Sequence, residues 1–429
     1  MSTEQETGRV VGNRILALLP PTERVRLRQS YTPTSNQVAV KLLVILGGVL
    51  VGLLMAEVGV RVLGFRYLNL YQEDGDVGFA HRPGAEGWWQ REGQTYIKIS
   101  SAGLRDREYA QVKPPGTLRV AVLGDSFAEA LQVPMEAAFW AVAEQRLQGC
   151  AAMGGRRVEM LNFGVSGFST ARELITLRRR VWPYAPDIVV LLVTTGNDVR
   201  DNSRLLNREY AGLPLPYFVY QNGALVLDDS LLRRRNESLS FRWHRSFLGG
   251  SLSRLRDHVR LLSLLDRTRT ALQTYQQKRK DAPTDAGYEP GLDTKVYLAP
   301  ADPAWAEAWR VTEGLLLLMR DEVQAHGAKF LLVTGSSGIQ VYPDRAVRQH
   351  FMQSVGADDL FYPDYRIKAL GEREGIEVLT LAPTLQEYAD RNKTFLHGAD
   401  GFGHWNVLGH QLVGDLVAER LCETTATNR

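Results

Sequence analysis

From Leu118 onward the sequence repeats one pattern, a short and almost wholly apolar run followed by a stretch with helical spacing. The runs are LRVAVLG (118–124), VEMLNFGV (158–165), DIVVLLVTTG (187–196), AKFLLVTGS (328–336) and IEVLTLAP (376–383). Runs without polar alternation suit strands buried on both faces, the situation inside a parallel sheet covered by helices. Parallel neighbours need crossover connections, and MEAAFWAVAEQRLQ, ARELITLRRRVW and AWAEAWRVTEGLLLLMRDEVQAHG supply helical patterns between the runs. The last of these ends on Gly327 directly before a strand, a common helix C-terminal arrangement. The expected core is therefore an α/β, doubly wound, five-stranded parallel sheet. Ligands in such sheets bind beyond the carboxyl ends of the strands.

Polar residues of complementary chemistry fall at that end. The first run stops at Gly124-Asp125-Ser126, the second at NFGVSGFST (162–170), the third at TTGNDVRDN (194–202). Near the end of the chain, HGADGFGHWNVLGH carries Asp400 and His404 just before a final amphipathic helix. A serine, exposed backbone N–H groups, an amide and a histidine near an acid are the parts of an acyl-transfer site. Each part has a plain structural reading as well. Ser126 suits a helix N-cap, Gly167 a turn, Asn197 a cap of the next segment, and His404 a structural histidine beside Trp405. Their joint placement favours chemistry.

A second feature stands apart from the globular pattern. An uninterrupted apolar run, Leu42 to Ala56, extends outward to Val38 and Val60. That stretch is long enough to cross a hydrocarbon layer of about 30 Å. Basic residues are concentrated ahead of it, and only Arg61 and Arg66 follow within twenty residues. The positive-inside rule then places the N-terminus in the cytoplasm and the rest of the chain outside. A buried core helix and a cleaved signal peptide are the weaker readings, since the run lacks a polar stripe and a clear cleavage site.

Four regions are expected. Residues 1–37 form a cytoplasmic tail and 38–62 a transmembrane anchor. Residues 63–117 form an aromatic, Gly-rich extracytoplasmic extension in which GWWQREGQTYIKISSAGLRDREY reads as a hairpin and loop. Residues 118–425 form the main domain, interrupted by an insertion at about 201–303. The insertion holds a plausible hairpin around Asn222-Gly223 and a basic stretch, RLRDHVRLLSLLDRTRTALQTYQQKRK. That stretch reads as a helix with a solvated basic face, or as one lying on an anionic membrane surface. Lying beside the third strand end, the insertion is placed to form a lid over Ser126. The formal net charge of +3 gives no reason to expect a nucleic-acid partner. Cys150 and Cys422 imply neither a zinc site nor a disulfide framework, and they pair only if the domain is exported.

Taken together, GDSF, NFGVSGFST, GND and the terminal D…GHWNVLGH resemble the blocks of the SGNH (GDSL-like) hydrolases, in their usual order. The segment IKISSAGLRDREY…PPGTLRVAVLGDS also resembles the lead-in of membrane-anchored bacterial members. The resemblance covers about 118–200 and 305–425. It implies a flavodoxin-like three-layer α/β/α sandwich, no cofactor and no metal. It further implies Ser126 as nucleophile and His404 as base. Oxyanion donors would come from the Ser126 N–H, the Gly167 N–H and the Asn197 side chain. Two departures stand out. Thr195 replaces a glycine ahead of the Asn, and the position three residues before His404 is Gly401 rather than an acid. Asp400 is the expected acid, reached through a one-residue bulge, with a Ser-His dyad oriented by a backbone carbonyl as the alternative. Asp125 is expected to be structural, and His410 to pack at the start of the last helix. His397 has no assigned role. The pattern is not G-x-S-x-G, so an α/β-hydrolase elbow is excluded.

The functional expectation is a membrane-anchored serine esterase acting on O-acyl, above all O-acetyl, esters of cell-envelope or extracellular carbohydrate. The alternative is an O-acyltransferase using the same acyl-serine to acylate a polysaccharide. A non-catalytic carbohydrate-binding or scaffold protein is the remaining reading.

Overall fold

The computed structural model describes residues 35–63, 68–207, 213–246, 259–262, 264, 268 and 292–426. They divide between two compact units. The first contains helix α1 (Ser35–Val62), whose most apolar 18-residue window has a mean hydropathy of 2.6 and no buried residue. It is long and apolar enough to cross a membrane. In the same unit the Glu57 carboxylate accepts from the N–H groups of Arg260 and Leu261, at 3.0 and 2.8 Å. Most of the remaining basic stretch lies outside the described residues.

The second unit holds the sheet. All five expected strands form: β5 (Thr117–Leu123), β6 (Arg157–Asn162), β7 (Ile188–Thr194), β10 (Lys329–Gly335) and β11 (Glu377–Thr380). They lie in the order β11-β10-β7-β5-β6, every pair parallel. Numbered along the chain, that order is 2-1-3-4-5, the flavodoxin-like arrangement. Alternate residues of each strand feed two separate cores. Ala121, Leu123, Val189, Leu191 and Leu332 face one side, where α4 (Thr170–Thr176), α5 (Pro303–Ala325), α6 (Arg345–Val355) and α7 (Tyr362–Glu374) cover them. Val120, Val122, Val190, Leu192 and Val333 face the other. There α3 (Phe139–Gln148), α8 (Ala382–Asn392) and α9 (Val407–Ala426) supply Trp140, Leu385 and Val417. The result is a three-layer α/β/α sandwich. Cys150 and Cys422 are joined by a disulfide that ties the chain beyond α3 to α9.

Residues 68–117 belong to the same unit as the sheet. They form two hairpins, β1 (Tyr71–Asp74) with β2 (Gly78–His81) and β3 (Glu86–Trp89) with β4 (Thr95–Lys98). The second is the hairpin expected from sequence, and its inner face packs Ile97 and Ile99 with Leu70, Ala85 and Leu131. Within the insertion, β8 (Tyr217–Gln221) and β9 (Ala224–Asp228) turn at Asn222-Gly223, both with positive φ (51° and 83°), as the Asn-Gly pair predicts. This hairpin packs on α5, where the Arg310 guanidinium lies over the Tyr220 ring. The far end of the insertion returns to the sheet, Asp293 donating to the Gly196 carbonyl at 3.2 Å. The segment between them is mostly outside the described residues, so the lid reading falls there.

Candidate active site

The strand order reverses between β5 and β7, which opens a crevice beyond their carboxyl ends. Ser126 follows β5 there, and Asn197 follows β7. Ser126 is the first residue of a single helical turn, α2 (Ser126–Glu129). The cap of that turn is Asp125, not Ser126, because the Asp125 carboxylate accepts from the Phe127 N–H at 3.0 Å. The serine hydroxyl is thereby released from capping.

Asp125 is fully buried and binds both neighbours of the crevice. It also accepts from Thr194 Oγ1 at 2.9 Å and from Asn197 Nδ2 at 3.0 Å. Burial raises its pKa against the pull of these bonds. The structural role expected of Asp125 is what the structure shows. Only one of the two Asn197 amide protons is used by Asp125, and its Oδ1 is buried without a partner.

Gly167 sits on the loop after β6 with φ 73°. That loop is pressed onto α2. A Cβ on Gly164 would meet the Ala128 Cβ at 2.5 Å, and Ser166 donates its N–H to Glu129 at 2.9 Å and its hydroxyl to the same carboxylate. Glu129 is buried. It also accepts from the Tyr71 hydroxyl, at 2.8 and 2.9 Å, and faces His81 Nε2 at 2.5 Å. His81 Nδ1 faces the Gly103 carbonyl at 3.0 Å. Both ring nitrogens thus meet oxygen partners, a carbonyl and a carboxylate. Burial pushes the Glu129 pKa up, but His81 and the donors around it outweigh burial and hold it below the ordinary value.

His404 completes the line. Its Nε2 lies 2.8 Å from Ser126 Oγ, and its ring packs on Phe127 at 4.9 Å between centroids. The acid on its other nitrogen is not Asp400. The Asp400 carboxylate accepts from the Phe402 N–H within its own loop, at 3.2 Å. His404 Nδ1 instead lies 2.6 Å from Glu92 Oε2, and the His404 N–H donates to the same oxygen at 3.1 Å. Gly401 explains the substitution. Its φ is 92°, and a Cβ there would come within 2.9 Å of Tyr342 and Phe395, so no acid fits at that position. The backbone-carbonyl alternative also fails, because Nδ1 faces a carboxylate.

Glu92 sits at the tip of the β3–β4 hairpin with φ 56°, a left-handed conformation that costs a non-glycine residue energy. Two glycines allow its approach. A Cβ on Gly93 would strike the Gln132 carbonyl at 2.3 Å, and one on Gly403 would crowd the Glu92 carboxylate at about 3.1 Å. Burial works to raise the Glu92 pKa, and the hydrogen bonds and charge of His404 outweigh it, so the carboxyl sits below its usual range.

The histidine loop is fixed by His397, a residue with no role assigned from the sequence pattern. Its Nδ1 lies 2.6 Å from the Gly403 carbonyl and its Nε2 3.0 Å from Ser336 Oγ. Burial lowers its pKa to about 4, so it is neutral. His410 is buried at the start of α9, stacked on Phe139, as expected. Beneath the crevice lies Glu173, fully buried, with neither carboxyl oxygen hydrogen-bonded. Burial, reinforced by the nearby Asp125 charge, drives its pKa well above the ordinary value.

No family model matches the chain, and no curated protein sequence matches it. Among solved structures, similar ones include an acetyl xylan esterase, AlAXEase, at 12% identity, covering 71% of this chain and 99% of that one, with a TM-score of 0.34. An acetylxylan esterase from Geobacillus stearothermophilus matches at 12% identity over 72% of this chain and 95% of that one, with a TM-score of 0.35. A lipase/acylhydrolase from Enterococcus faecalis matches at 13% identity over 72% and 96%, with a TM-score of 0.33. Likenesses this distant leave the functional reading to rest on the site's own geometry.

Proposed function

We propose that this chain is a membrane-anchored serine esterase of the SGNH (GDSL-like) type, acting on O-acyl, above all O-acetyl, esters of extracytoplasmic carbohydrate. The observation that carries the proposal is the line Ser126 Oγ–His404 Nε2, His404 Nδ1–Glu92 at the reversal point of a flavodoxin-like sheet. In this reading Ser126 Oγ attacks the acyl carbonyl and passes its proton to His404 Nε2. Glu92 holds the Nδ1–H tautomer and stabilises the imidazolium that forms. The oxyanion receives the Ser126 N–H, the Gly167 N–H and the free Asn197 amide proton. His404 then gives that proton to the departing sugar oxygen, which leaves as the hydroxyl. Water, deprotonated by the same nitrogen, releases the acid and restores the serine.

The location rests on α1, on the Lys/Arg excess ahead of it, and on the Cys150–Cys422 disulfide, a bond that persists in oxidising compartments. On this reading residues 1–37 are cytoplasmic, 38–62 span the bilayer, and the extension at 63–117 belongs to the catalytic part because it supplies Glu92.

The test uses the full chain in detergent, with p-nitrophenyl acetate and a serine-reactive fluorophosphonate. The wild type turns over and is labelled, and Ser126→Ala does neither. An inert wild type, or labelling that survives Ser126→Ala, contradicts the proposal. Acetyl transfer to an oligosaccharide outpacing hydrolysis would assign the acyl-serine to a transferase.

A further inference from the structure

The hairpin that carries Glu92 has a second face. Its inward residues, Trp89, Ile97 and Ile99, are packed, whereas Trp88 and Tyr96 point outward as a cross-strand pair, 53% and 47% exposed. Their rings meet edge to face, with centroids 5.6 Å apart. Neither ring belongs to a hydrophobic core cluster. They border a cleft of about 600 Å³, within the size range of small-molecule sites.

The cleft is built on the hairpin that carries Glu92. Gln94 lines it two residues beyond Glu92, and Tyr96 lies four residues along the hairpin, on the order of 10 Å away. Its lining includes Arg105, which is 3% exposed. Arg105 Nη2 donates to the Val133 carbonyl at 2.7 Å, while Nε and Nη1 have no hydrogen-bond partner. Those two nitrogens are buried, so the donors open to a ligand are those of Gln94, Lys98 and Arg107. The charges of the lining are mixed in sign: Lys98, Arg105 and Arg107 stand against Glu108, Glu136 and Asp106, whose carboxyl burial pushes up to about 7. A lining of mixed sign gives no strong attraction to an anionic polymer. Aromatic faces, amide and guanidinium donors and little net charge suit a neutral pyranose chain, which offers an apolar ring face and hydroxyl oxygens.

We infer that the Trp88/Tyr96 cleft binds the neutral saccharide chain of the substrate, the hairpin coupling sugar recognition to the placement of Glu92 on His404. This rests on the esterase reading but is tested apart from it. Calorimetric titration of the full-length Ser126→Ala chain measures binding without turnover. The probes are O-acetylated xylohexaose, mannohexaose and cellohexaose, with O-acetylated oligomannuronate as an anionic arm and p-nitrophenyl decanoate as an acyl-chain arm. At least one neutral hexasaccharide binds, and adding Trp88→Ala or Tyr96→Ala weakens its Kd about tenfold, with Trp88→Tyr recovering most of the loss. Both side chains are at the surface, so these changes leave the core intact. No binding of any neutral probe, an unchanged Kd in both variants, or a penalty confined to the mannuronate or decanoate arm overturns the inference. Sugar binding by a chain whose wild type cleaves no acetyl ester would contradict the esterase reading alone.

Discussion

The Nδ1 atom of His404 lies 2.6 Å from a carboxylate oxygen of Glu92, across 312 positions of sequence. The acid comes from the hairpin ahead of the sheet, not from the loop that carries the histidine. The site is therefore complete only with the hairpin seated, and that seating depends on the close passage of Gly93 over the Gln132 carbonyl. Gln132 in turn donates to the Trp405 carbonyl at 3.2 Å, beside His404. Hairpin, serine turn and histidine loop are thus held by one connected set of contacts.

Asn197 tests the oxyanion assignment. Its amide donates one proton to Asp125, and on the proposed reading the other goes to the oxyanion. Asn197→Ala is expected to lower kcat by about 10²–10³-fold with little change in KM, the usual effect of losing one oxyanion donor. Steady-state kinetics on p-nitrophenyl acetate checks this, and a change carried by KM alone would contradict it.

The His81–Glu129 pair is buried on both sides, with side chains 1% and 0% exposed. Removing one member strands the other. His81→Ala should destabilise the fold by about 3–5 kcal/mol, read by urea unfolding. A loss below about 1 kcal/mol would mean that Glu129 is not held ionised by His81.

Glu173 should act in the opposite way. Its folded carboxyl stays protonated while the unfolded one ionises near its ordinary value of 4.5. The stability it contributes is full below that pH and is lost as pH rises toward the raised folded value. Glu173→Gln removes that loss. The variant should melt at least about 2 °C above the wild type at pH 7–8, with the gap closing below about pH 4.5. An equal gap at both pH values would contradict a protonated Glu173.

The Cys150–Cys422 bond closes a loop with a sequence separation of 272. Reduction, or Cys150→Ser, should cost about 2–4 kcal/mol of stability. Thiol titration of the unreduced, denatured chain should find no free cysteine.

The sheet was legible because its strands carry the signal themselves. IVVLLVT is apolar on both faces, as is VAVL at the end of TLRVAVL, and such runs predict a covered parallel sheet. Ser126, Asn197 and His404 were legible because the end of each strand, or the start of the last helix, places them. Glu92 was not. The turn QREGQ reads as a hairpin tip, but no local pattern says what a tip touches. Asp400 looked right by proximity in sequence. The glycine geometry at 401 and 403, which orders the loop so that Asp400 bonds within it, is a tertiary property. His397 was silent for the same reason, since its partner Ser336 lies 61 positions away.

The central claim is the line from Ser126 through His404 to Glu92, and one paired measurement tests it. The kcat of the full-length chain on p-nitrophenyl acetate is compared for Glu92→Gln and Asp400→Asn. Glu92→Gln, which leaves the shape but removes the charge and the tautomer control, should lower kcat by about 10²–10⁴-fold. Asp400→Asn should change it by less than about threefold, since its carboxylate only accepts within its own loop. The reverse pattern, with Asp400→Asn crippling and Glu92→Gln nearly silent, would contradict the account.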